Sequence, residues 1–113
     1  MDNQEALAKK AEEIINEMVN KNARITDTQI RNFMEAAQKS ANYLELKIYL
    51  QYQAARMKDL REFVTVVVKY LDGEYAETSE YLNRKGEIAY LFGLMARYKK
   101  FKDVEAKSPG SGR

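Results

Sequence analysis

Apolar residues recur along this chain at spacings of three and four, the period of a helix and not of a strand. In the first twenty residues Ala6, Leu7, Ala11, Ile14, Ile15, Met18 and Val19 share one face. Asp2 and Glu5 sit at its start with capping-box spacing. The pattern predicts a first helix that ends near Lys21 and Asn22. Thr26 and Gln29 form a second capping box. Behind it Ile30, Phe33, Met34 and Ala37 give a second helix one apolar face, up to about Lys39.

Asn42 and Glu45 offer a third cap, ahead of the stretch from Tyr43 to Leu71. At about 100° per residue, Lys47, Gln51, Ala54, Lys58, Arg61, Glu62, Thr65 and Lys69 fall on one polar arc without a change of phase. The spacing predicts a single central helix, about 43 Å long at roughly 1.5 Å per residue. Asp72-Gly73 is its expected stop, because Gly tolerates the left-handed turn that closes many helices. Residues 74–83 predict a short helix or helical turn. From Arg84 to Lys102 a final helix is apolar nearly all round, the mark of an element that is central or shared with a partner chain. Gly93 in that helix marks close approach of another backbone. KSPGSGR, from Lys107 onward, is expected to be a disordered tail. The prediction is an all-α, single-domain bundle of four or five helices with a long central helix, over residues 1–106, and a tail over 107–113.

Composition narrows the chemistry. The 113 residues contain neither Cys nor His, which removes thiol and imidazole nucleophiles, bases and zinc ligands. No glycine-rich phosphate loop is present. The acids lie on solvent-type faces within helical reach of Lys or Arg. The expectation is therefore a non-catalytic protein with no cofactor and no metal. No apolar run of about 18 residues exists, and the acidic, amphipathic start does not resemble a secretory signal. A cytoplasmic location is the default.

The formal net charge of +2 is unevenly spread. Residues 1–20 carry five acids against two bases, and residues 21–71 carry nine bases against five acids. The predicted outward row of Lys47, Lys58, Arg61 and Lys69 suits tracking a nucleic-acid backbone without reading bases, and equally suits an ordinary solvated face. Arg56 falls near the middle of the apolar arc, beside Tyr49, Tyr52, Leu60 and Phe63. Burying an unpaired charge is costly, so it must either pair with Asp59 or Glu45 or aim at a phosphate or a second subunit. Arg31 lies beside the apolar face of the second helix. The eight tyrosines are read as core or oligomer contacts before base-stacking platforms. A helix-turn-helix reader over residues 26–39 has only Gln29, Arg31, Asn32 and Gln38 to read bases with, after an acidic first helix.

Three segments bear a resemblance to the small subunit of type III-A CRISPR effector complexes, the Csm small-subunit family. ITDTQIRNF (25–33) resembles its Thr/Ser-x-x-Gln-Ile-Arg helix start. LKIYLQYQAAR (46–56) resembles its pattern of Lys, then Leu-x-Tyr, then Arg. IAYLFGLMARYKKF (88–101) resembles its aromatic-rich last helix. Ile48 stands where many relatives have Pro, and Ala96-Arg97 where many have Ala-Tyr. The resemblance implies a non-catalytic helical subunit of antiviral defence, stacked in copies beside larger Csm subunits. Its partners would be target RNA paired with the CRISPR RNA, other subunits of the effector complex, and further copies of itself as a homodimer or homo-oligomer stack. By residue, it implies RNA-binding roles for Arg31 and Arg56, and next for Lys47. Lys58 and Arg61 join this set from the amphipathic row alone. The type III-B small subunit and a helical protein-interaction module without nucleic-acid binding are the alternatives.

Overall fold

The computed structural model describes residues 3–77 and 80–107. They form five α-helices and no strand: α1 (Asn3–Asn20), α2 (Asp27–Lys39), α3 (Tyr43–Arg56), α4 (Arg61–Tyr75) and α5 (Tyr81–Lys107), with one 3-10 turn (Lys58–Leu60) between α3 and α4. The all-α bundle is as expected. Its long helix is not where the periodicity put it.

Local chemistry explains the helix ends. Asn22, the one positive-φ residue other than glycine (φ 56°) among those described, closes α1. Ala23 N–H donates to the Met18 carbonyl at 3.0 Å and Asn22 N–H to Val19 at 3.1 Å, the paired bonds of a Schellman motif. Thr26 caps α2 reciprocally. Gln29 N–H donates to Thr26 Oγ1 at 3.1 Å, and Thr26 N–H donates to Gln29 Oε1 at 2.9 Å. Asn42 Oδ1 accepts from Glu45 N–H at 2.9 Å. Glu45 reaches one residue further back than a capping box, accepting from Ala41 N–H. Asp2 lies outside the described residues.

The segment from Tyr43 to Leu71 is two helices. At Met57 the backbone is extended (φ −125°, ψ 102°), and the chain folds back through the 3-10 turn. Leu60, Phe63 and Val64 are all buried, each worth about 1.5–3 kcal/mol. That exceeds the few helical hydrogen bonds given up at the fold, at about 1 kcal/mol net each. One straight helix would have carried these side chains away from the core. Folded back, α4 buries Phe63, Val64, Val67 and Leu71 in the same core as Leu46 and Leu50 of α3.

Two further expectations are corrected. Asp72-Gly73 does not stop α4, which runs on until Tyr75 is buried. No separate short element lies between Glu74 and Asn83 among the described residues, since α5 already begins at Tyr81. The 27 residues of α5, about 40 Å at 1.5 Å each, form the spine on which α1 and α2 pack. Lys107 still belongs to it; the remainder of the predicted tail lies outside the described residues. At the centre, Phe33 of α2 stacks on Phe63 (6.0 Å between centroids) and meets Phe92 of α5 and Tyr49 of α3. Four helices therefore converge on one ring.

Candidate nucleic-acid interface

Folding α4 back on α3 turns the predicted polar arc into the two walls of a cleft. Gln51 and Ala54 of α3 face Arg61, Thr65, Lys69 and Asp72 of α4 across a volume of about 530 Å³, with Val64 and Val68 as its apolar lining. Arg61, Thr65 and Lys69 repeat every four residues, so they form one row along α4. From Arg61 to Lys69 the row covers about 12 Å, roughly three to four nucleotides at about 3.4 Å each.

One carboxylate enters this cleft, and it is already engaged. Asp72 accepts from the Tyr43 hydroxyl at 2.7 Å and from Lys47 Nζ at 3.2 Å. The Tyr43 hydrogen bond, aided by Lys47, holds the Asp72 carboxyl below the usual aspartate range. Burial, then the bond to Asp72, pushes the Tyr43 hydroxyl well above its ordinary value. The proton therefore stays on Tyr43 and the negative charge on Asp72. With Lys47 offsetting Asp72, Arg61 and Lys69 remain as cations that make no ion pair among the described residues.

The five predicted residues do not gather at one place. Arg61 lines the α3–α4 cleft, and Lys47 borders it through its ion pair with Asp72. Lys58 lies in a neighbouring cleft of about 240 Å³ with Arg24, Lys21, Asp59 and Glu62, separated from Arg61 by the turn that breaks the helix. In that second cleft Glu62 is paired with Lys21 at 3.0 Å. Arg31 is exposed on α2 and pairs with Asp27 at 3.2 Å. Arg56 is the clearest correction. It is exposed at the end of α3, over the Tyr52 ring at 5.5 Å, and donates to Gln53 Oε1 at 3.1 Å. It makes neither ion pair expected of it, because no burial forces one.

The tyrosines divide in the same way. Tyr43, Tyr75 and Tyr81 are buried, with hydroxyls donating to Asp72, Glu87 and the Ala37 carbonyl. Tyr52 and Tyr90 alone are exposed among the described tyrosines. Lys69 was missing from the predicted binding set, although its spacing from Arg61 places it in the row. The Tyr43–Asp72–Lys47 cluster had no sequence signal, being made across 25 to 29 residues. Among the described residues no group of acids converges to hold a metal ion, and no helix is long and apolar enough to cross a membrane.

Comparison with protein-family models, with curated proteins and with solved structures gave no match for this chain.

Proposed function

We propose that this chain is a non-catalytic small subunit of a type III-A CRISPR (Csm) effector complex, acting in the cytoplasm in antiviral defence. It binds the sugar-phosphate backbone of target RNA, single-stranded or guide-paired, and bridges neighbouring subunits. The observation that carries the RNA-binding part is the α3–α4 cleft, where Arg61 and Lys69 make no ion pair among the described residues and the one carboxylate is paired with Lys47 and hydrogen-bonded by Tyr43. Phosphate needs donors and positive potential more than shape, and the amide of Gln51 and hydroxyl of Thr65 add neutral donors beside the two cations. Sequence selectivity would come from guide pairing and not from this chain. The CRISPR assignment rests on the three sequence resemblances.

Salt titration of RNA binding tests the cleft. Neutralising about three phosphates gives a log-log slope near −2 on single strands, at about −0.7 per contact. Arg61→Glu with Lys69→Glu should flatten that slope by about 1.4 and weaken binding at low salt. An unchanged slope and affinity would remove the cleft from the RNA path. The protein-interaction alternative finds its support in a different feature, the bare apolar face of α3.

A further inference from the structure

The outer face of α3 is apolar and uncovered. Leu44, Ile48 and Tyr52 are 63%, 57% and 58% exposed, at the four-residue spacing that makes a continuous ridge. Ala55, also exposed, falls on the same face. The buried side chains Leu46 and Leu50 lie on the opposite face, against the core. Two flanks border the ridge. Lys47 and Gln51 lie toward α4, and Glu45 and Arg56 lie together on the other side, each about 60–80° from the ridge centre at 100° per residue.

That second flank carries the argument. Glu45 is in the first turn of α3 and Arg56 in its last. When two identical helices pack antiparallel about a two-fold axis, each flank meets the same flank of its partner in reversed order. Centred near residue 50, such a pairing sets Ile48 of one copy against Tyr52 of the other and Leu44 near Met57, itself 39% exposed. It also brings Glu45 opposite Arg56, twice. A parallel two-fold pairing would instead turn this flank toward the Lys47 and Gln51 flank of the second copy, where α3 offers Arg56 no carboxylate. Only the antiparallel pairing therefore gives Arg56 a carboxylate on the facing helix.

We propose that α3 is a self-association surface, on which a second copy of this chain docks antiparallel through Leu44, Ile48 and Tyr52, with reciprocal Glu45–Arg56 ion pairs fixing the orientation. One helical ridge per copy is smaller than the roughly 1,200 Å² of standard interfaces, so the dimer is weak, with a dissociation constant between about 10 µM and 1 mM.

Sedimentation velocity of the full chain from 10 µM to 1 mM tests this range. The expected result is a concentration-dependent dimer that Ile48→Asp abolishes and that Glu45→Lys or Arg56→Glu each weakens at least about fivefold. Mixing Glu45→Lys with Arg56→Glu protein should restore dimers, because both ion pairs re-form only in the mixed pair. Glu45 also holds the start of α3 through Ala41. If Glu45→Lys fails to fold, Ile48→Asp and Arg56→Glu, on exposed side chains, still decide the matter. A monomer throughout the range, or a dimer indifferent to Ile48→Asp, overturns the proposal. So does a monomer that co-floats with anionic vesicles, which would assign the ridge to a lipid surface.

Discussion

The Tyr43 hydroxyl donates to Asp72 Oδ1 at 2.7 Å, tying the first turn of α3 to the last turns of α4. The bond closes one end of the α3–α4 cleft and tempers the Asp72 charge that enters it. Tyr43→Phe should cost about 1 kcal/mol, below the roughly 1.5–3 kcal/mol of a buried bond to a charged group because Asp72 is 40% exposed. Urea unfolding should show a lower midpoint with an unchanged slope. RNA affinity should fall as well, since Asp72 would keep only Lys47 as partner and its charge would act more strongly on the cleft.

Stability should fall away at both ends of the pH scale. On the acid side, Asp72 is held low by Tyr43 and then Lys47. Burial pushes Glu87 up, yet Arg84 and Tyr75 outweigh it and hold this carboxyl below its ordinary value too. Depressed carboxylates contribute stability that is present above their unfolded values, near 4, and is lost as pH falls through the folded ones. On the alkaline side, burial raises Tyr43 and Tyr75, and each bond to a carboxylate raises it further. Burial pushes Tyr81 up to about 12. For these groups the contribution is complete below about pH 10 and is lost as pH rises through the folded values. Thermal midpoints should plateau from about pH 5 to 9, and Asp72→Asn should blunt the acid decline.

The helical glycines should respond unequally. A Cβ on Gly73 or Gly86 meets nothing within 4 Å. Gly73→Ala and Gly86→Ala should each stabilise by about 0.5–1 kcal/mol through helix propensity. At Gly93 the new Cβ would lie 3.3 Å from Met34 Sδ. Gly93→Ala should gain less, or lose, depending on how far the flexible Met34 gives way. Denaturant titration of the three variants gives the order directly.

Phe33→Ala removes the ring on which Tyr49, Phe63 and Phe92 converge. The expected loss is about 3–5 kcal/mol, a large part of the 5–15 kcal/mol typical of a domain. Tyr81→Phe is the milder comparison. It leaves the Ala37 carbonyl short of one partner, at about 1–2 kcal/mol.

Helix faces and caps were legible in the sequence because they are local. The Thr26–Gln29 box and the left-handed closure at Asn22 depend on residues within one turn. The break at Met57 was not legible, since no Gly or Pro marks it and the polar arc runs through it in phase. Asp59 and Glu62, acids at the start of a helix, were the only local hint. The burial expected around Arg56 is absent for a related reason. Its phase was read correctly, but a wide apolar arc does not say which part is covered, and in α3 the part beside Arg56 is bare. The cleft itself was half legible: Lys47, Gln51, Arg61 and Lys69 were placed on one arc, and only folding turned that arc into two facing walls.

The proposed function is membership of an RNA-guided effector complex. Mild affinity purification of the tagged protein from its native cells, followed by mass spectrometry and sequencing of bound RNA, tests it most directly. Several larger subunits should co-purify with short guide RNA carrying a repeat-derived tag. Recovery of the protein alone, or with an RNA-free protein partner, would contradict the account.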